Sequence, residues 1–185
     1  LHQRQIIRTK IADLLVAGAT AAGTRVFPSR KLPLRKIELP ALAVYTLDES
    51  VTADSVTSAP RELTRSLNVV IEGWIAEPAD SGTTVDDAID ALAEEIETVM
   101  HADPYLGDTV GESILSETTV ELVEEGDRMM ALLLMTYAVT YRTLAPAAPT
   151  LDDFETVGAE TDLAGAQDPA DRSQLDFVVE DPYVP

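Results

Sequence analysis

The side chains that could do chemistry are few. The chain holds two histidines, His2 and His101, and no cysteine. Zinc wants three or four convergent nitrogen or sulfur ligands, so two distant histidines argue against such a site. His2 is terminal and expected to fray. His101 closes a helical stretch, where a cation suits the negative end of the helix dipole. Disulfide and thiol chemistry are excluded. There is no P-loop, no G-x-G-x-x-G and no nucleophile elbow. The glycine-bearing run 18–23 (GATAAG) follows a helical pattern, not a strand, and reads as a linker. The carboxylates Asp86, Asp87, Asp90, Glu94 and Glu97 have the types needed for a divalent cation or for acid–base work. Their spacing is also that of the solvated face of an amphipathic helix, which is the preferred reading. Asp152-Asp153 and Asp176–Asp181 lack calcium-loop spacing and its glycine. No catalytic residue, metal ligand or cofactor is therefore expected.

The elements behind these residues are clearer than the chemistry. Residues 83–100 carry Val85, Ala88, Ile89, Leu92, Ala93, Ile96, Val99 and Met100 at offsets of three and four, one helical stripe. Thr84 with Asp87, or Thr83 with Asp86, makes a capping box. A first amphipathic helix over 3–17 presents Ile6, Ile7, Ile11, Leu14 and Leu15, and ends near Gly18 or by Gly23. Strands are expected at 24–27, 41–47, 63–77, 112–124 and 128–143. In the third, Leu67, Val69, Ile71, Gly73 and Ile75 share one face, and Ser66, Asn68, Val70, Glu72 and Trp74 the other. Gly73 is a possible bulge. The apolar run 129–135 places the last strand in the middle of the sheet. Prolines confine 28–40 to an arm or loop, and 48–60, rich in Ser, Thr and Asp, reads as a mobile loop. The fold class is α+β: a mostly antiparallel sheet of four to five strands, two helices packed on one face, and an extended C-terminal tail.

Charge divides the chain. Of 13 basic and 33 acidic residues, ten basic and six acidic fall before position 66, leaving three and 27 after it. The formal charge of −20 is a poor footprint for a nucleic-acid binder. It suits association through complementary faces, and it equally suits simple solubility. The polar start, LHQRQIIRTK, is not a signal peptide, and no apolar run approaches the roughly 20 residues that span a bilayer. Domain boundaries are expected at 1–144 for the α+β domain and 145–185 for a proline-rich linker and acidic arm. That arm holds ten acidic residues and Arg172. It cannot bury enough apolar surface to fold alone. It is expected to order on a neighbour through Phe154, Phe177 and Tyr183, with Asp176–Glu180 adding a strand to an exposed edge.

Two further surfaces have the composition of contacts. Trp74, the one tryptophan, lies on the more polar face of its strand; it either anchors an interface or covers the sheet. Arg30, Lys31, Arg35 and Lys36 form a basic arm that either meets an acidic surface or is an ordinary exposed loop.

The order and spacing of several stretches resemble the tail terminator proteins of long-tailed bacteriophages, over roughly residues 3–143. These stretches are the helix QRQIIRTKIADLL, the strand Leu39-Pro40-Ala41-Leu42-Ala43-Val44-Tyr45 after a proline-containing arm, and the alternating strand Arg65–Ile75. They continue with the acidic helix ending Ile96-Glu97, the turn Asp103-Pro104-Tyr105-Leu106-Gly107, and the hairpin closing in Tyr137-x-Val-x-Tyr141. The resemblance implies a structural virion protein made in the bacterial host cytoplasm, not an enzyme. It implies a homo-hexameric ring that ends the tail tube, meets the tube protein and a neck or stopper protein, and passes DNA through its lumen without sequence-specific binding. The segment after Leu144 departs from the short forms of that family. The alternatives are a head-completion or stopper protein of the same neck, and a small metal-dependent enzyme.

Overall fold

A computed structural model describes residues 2–29, 39–54, 60–77, 83–125, 128–146, 156–161 and 173–178. The chain divides into two compact units, Leu1–Ala145 and Pro146–Pro185.

The first unit contains helices α1 (Gln3–Ala17) and α2 (Val85–Ala102). Its strands are β1 (Val26–Pro28), β2 (Ala41–Ala53), β3 (Glu62–Ala76), β4 (Glu112–Glu125) and β5 (Arg128–Leu144). They form one sheet in the order β1-β2-β3-β5-β4. Only the β1–β2 pair is parallel; the other three pairings are antiparallel. β5 lies between β3 and β4, as its apolar centre requires of a strand paired on both sides.

Alternation along β3 and β5 divides the sheet into two faces. Leu42 and Val44 of β2, Leu67, Val69, Ile71 and Ile75 of β3, and Ala131, Leu133, Met135, Tyr137 and Val139 of β5 are buried against the helices. From α1 the core takes Ile7, Ile11 and Leu15, and from α2 it takes Val85, Ile89, Leu92, Ile96 and Met100. α1 packs on β1 and β2, while α2 packs on β3 and β5. Both helices lie on the same face.

Local chemistry sets the helix ends. The Thr84 hydroxyl accepts from the Asp87 backbone N–H at 3.2 Å and donates to the Asp87 carboxylate at 2.8 Å. The first bond satisfies a backbone donor that the first turn leaves free, and the second fixes the two side chains against each other. His2, expected to fray, is the N-cap of α1, its Nδ1 accepting from the Arg4 backbone N–H at 3.3 Å. Gly18 ends α1 in a right-handed conformation. A glycine is required there because a Cβ would stand 2.2 Å from Val99 Cγ2 on α2.

Two expectations for the sheet change. Gly73 is not at a bulge, since β3 and β5 pair without interruption from Glu62 to Ala76. It is small because a Cβ there would meet Leu42 Cδ2 at 3.2 Å and Leu92 Cδ2 at 3.3 Å, the point where α2 comes down on the sheet. The expected loop 48–60 is strand as far as Ala53. β2 pairs with β3 on both sides of a bulge between Thr46 and Glu49, and that extra residue breaks the hydrophobic alternation that marks a strand. β4 has its own bulge between Leu115 and Glu117, where Ser116 Oγ donates to the Thr136 carbonyl at 2.9 Å.

In the second unit, β6 (Thr156–Thr161) and β7 (Ser173–Val178) form an antiparallel pair. Asp176, Phe177 and Val178, expected to extend a partner's sheet, pair here with Gly158, Val157 and Thr156.

Candidate functional site

Among the described residues no helix covers the sheet face opposite α1 and α2, although Ala41 and Ala43 on it are buried and Tyr45, Val70, Leu132 and Leu134 are half-buried. Register defines its rows. Ala41, Trp74, Leu132 and Glu121 lie side by side across four strands; then come Ala43, Glu72, Leu134 and Thr119; then Tyr45, Val70, Thr136 and Glu117. An open groove of about 630 Å³ runs over the last two rows. Tyr45, Leu47, Val70 and Leu134 give it apolar walls, with Leu47 52% exposed. Glu72, Glu117 and Glu121 give it carboxylates, and no basic side chain lines it among the described residues.

The bulge in β4 creates this combination. Leu115 opposite Tyr137 belongs to the helix side, whereas Glu117 opposite Thr136 belongs to the open side. Without the extra residue, positions 115 and 117 would share a face. Trp74 is half-buried beside the groove, and its indole Nε1–H donates to the Glu72 carboxylate. β4 is an edge strand, and Ile114, Val120 and Leu122 on it are 53%, 42% and 49% exposed. The unpaired backbone groups of an edge strand are a template for pairing with another chain, and exposed apolar side chains add to that tendency.

A polar knot lies on the helix side, at the far end of β2. The Glu49 carboxylate receives Arg65 Nη1 at 2.9 Å and the Tyr141 hydroxyl. Arg65 Nε also donates to Thr143 Oγ1 at 2.8 Å. From α1, Arg4 donates to the carbonyls of Thr46 and Leu47, and Arg8 to Thr46 Oγ1 at 3.0 Å. The two arginines are one helical turn apart and hold the bulged stretch of β2. Tyr141 is pushed up to about 12, first by burial, then by its hydrogen bond to Glu49 and that residue's charge; Arg65 and Arg4 oppose the shift. A phenol raised in this way stays protonated and holds the carboxylate as a donor. It is unsuited to act as a base near neutral pH.

Sequence reasoning placed Trp74 on the correct face but missed Glu49, Arg65 and Tyr141, because Glu49 fell in a stretch read as loop. Arg30, Lys31, Arg35, Lys36, Phe154 and Tyr183 lie outside the described residues. Phe177 is in β7, opposite Val157. The helix carboxylates Asp86, Asp87, Asp90 and Glu94 are exposed, and no group of three or more His, Asp or Glu among the described residues is placed to hold a metal. None of the helices described is long and apolar enough to cross a membrane.

The first unit thus defines a class: an α+β domain with one helix-covered sheet face and an apolar–acidic groove on the other. No family model matches the sequence, and no curated protein matches it. Among solved structures, the chain is similar to one described as "Virion of native gene transfer agent (GTA) particle". That similarity spans 74% of this chain and 92% of that one, at 13% identity and a TM-score of 0.31.

Proposed function

We propose that this chain is a structural virion protein that assembles with copies of itself into a ring, ends a phage-type tail tube and joins it to the neck. The observation that carries the reading is the exposed side of the sheet. An apolar groove with three carboxylates runs next to the 14-residue edge strand β4, which exposes Ile114 on the same face and Val120 and Leu122 on the other. Such a surface fits lateral protein contact better than small-molecule chemistry, because its polar groups carry one sign of charge and lie in the open. The resemblance of residues 3–143 to tail terminators supplies the particular assembly. In a ring the excess of carboxylates would repel passing DNA. The C-terminal segment, with Phe154, Phe177 and Tyr183, would reach an adjacent subunit or the neck protein.

Negative-stain microscopy of the purified protein, alone and mixed with tail tubes, tests this. Rings that stack on one tube end are the expected result. Rings that bind the portal-side connector and ignore tubes would make it a stopper protein instead. A monomer that leaves both untouched would overturn the reading.

A further inference from the structure

We propose that the outer half of β2 (residues 49–53) pairs with β3 in either of two registers, and that Arg4 of α1 selects the bulged one. The device lies within one chain and does not rest on the ring.

Burial does not choose the register there. Ahead of the bulge, Leu42 and Val44 are buried on the helix side, and a slip would turn them outward. Beyond it, Ser50, Val51, Thr52 and Ala53 are all exposed, so either set of side chains can face either way at little cost. The Thr64 hydroxyl donates to the exposed Asp54 carboxylate at 2.8 Å, a solvent-facing bond of small net worth. Two neighbouring carboxylates mark the two registers. Leu47 and Asp48 together oppose Asn68, which brings Glu49 opposite Leu67, on the face of Arg65 and Tyr141. With the extra residue passed on to the turn after Ala53, Asp48 would stand opposite Leu67 and inherit Arg65, and Val51 would cross to the other face.

Arg4 recognises the bulge itself. Its Nη2 donates to the carbonyls of both Thr46, at 3.2 Å, and Leu47. In a regular strand successive carbonyls point to opposite edges, so one nitrogen cannot take both. The bulge turns them to the same side, and this contact belongs to that register alone. Arg8 holds the Thr46 hydroxyl at 3.0 Å, ahead of the slip and common to both registers. Glu49, its side chain 10% exposed, adds the ion pair with Arg65 at 2.9 Å and the bond from Tyr141. The start of α1 is thereby coupled to the far end of the sheet: withdrawing Arg4 frees residues 49–53 to slide.

Engineered thiols read the register, because the chain has no cysteine of its own. Ala53 opposes Leu63, and the Asp54 N–H donates to the Glu62 carbonyl at 3.0 Å. The 53–63 pair is therefore a non-hydrogen-bonded one, about 4.5 Å between Cα atoms and within disulfide reach. Thr52 opposes Leu63 only after the slip. The A53C/L63C and T52C/L63C proteins are equilibrated in glutathione buffers, and the ratio of their effective thiol concentrations is measured. The 53–63 disulfide should dominate in the parent chain. Arg4→Gln should move the ratio towards 52–63 by about tenfold or more, the worth of a hydrogen bond to a charged group. Glu49→Ala should move it the same way, since Asp48 is then the carboxylate left to meet Arg65, whereas Asp48→Ala should not. Simple loosening would lower both concentrations and leave their ratio fixed. Thermal melts show which variants fold; where Arg4→Gln is unfolded, Glu49→Ala against Asp48→Ala decides. A parent in which 52–63 dominates, a ratio unchanged in folded Arg4→Gln, or equal ratios in the two carboxylate variants would overturn the proposal.

Discussion

Tyr137 and Tyr141 are four residues apart on one face of β5, both buried, yet only the Tyr141 hydroxyl has a partner. It donates to Glu49, while the Tyr137 hydroxyl has no hydrogen-bond partner. Burying a hydroxyl without a bond is unfavourable, and deleting it is free of that cost. Tyr137→Phe should therefore leave the protein as stable or raise its stability by up to about 1 kcal/mol. Tyr141→Phe should lower stability by about 1 kcal/mol, since Glu49 loses a donor. Urea unfolding of the two variants separates them; equal effects would contradict the assignment.

The same pair predicts alkaline behaviour. Burial raises both phenols above their ordinary value of 10.0, Tyr141 to about 12; the charge of Glu97 adds to the rise at Tyr137. The folded state therefore prefers the neutral form. This contribution is fully present below pH 10, where both states keep their protons. Above it the unfolded chain ionises first, so stability falls as pH rises through 10 towards 12. Urea midpoints at pH 9, 10 and 11 should decline, and decline less steeply in Tyr141→Phe. A variant with the parent's slope would mean that Tyr141 titrates normally.

The helices and central strands were legible because each buries one face, and burial writes its period into the sequence. Gln3–Ala17, Val85–Ala102, β3 and β5 all lie where apolar spacing puts them. The Thr84–Asp87 cap was equally readable, since capping depends on two neighbouring residues. What stayed hidden depends on bulges. The far half of β2 and the face assignment of β4 each turn on one extra residue, at Thr46/Glu49 and Leu115/Glu117. A bulge exchanges the faces beyond it, so Glu49 looked like loop and Glu117 like mixed polarity. The groove followed from register across four strands, information that no single stretch contains. Gly73 was noticed for the wrong reason: its missing side chain serves Leu92 on another element.

That contact makes its own prediction. Leu92 is 1% exposed and its Cδ2 lies 3.3 Å from where a Gly73 side chain would begin. Leu92→Ala should cost about 2–5 kcal/mol through the cavity it leaves. Leu92→Asp should unfold the domain, by placing a charge there without a partner. Gly73→Ala alone should cost about 1–3 kcal/mol through overpacking. In the double variant Gly73→Ala/Leu92→Ala, the new methyl occupies part of the vacated space, so the loss should be smaller than the two single losses together. Denaturant midpoints for the cycle decide it. Strict additivity would show that the two positions do not share the space.

Gly18 and Val99 provide the corresponding test between the helices. A methyl at position 18 would overlap Val99 Cγ2 at 2.2 Å and approach its Cγ1 at 3.1 Å. Valine is stiff about its first side-chain torsion, so the side chain cannot swing clear without leaving its preferred rotamer. The end of α1 must then move away from α2, disturbing the bond from the Ala21 backbone N–H to Glu95 Oε2 at 2.7 Å. Gly18→Ala should cost about 1–3 kcal/mol, although alanine is the better helix former. Val99→Ala is half-buried and should cost less on its own. Together they should show a favourable coupling of about 1 kcal/mol or more, because Val99→Ala removes both atoms that Gly18→Ala would strike. Urea unfolding of the four proteins measures the coupling. A value near zero would mean that the two helices pass each other with room to spare.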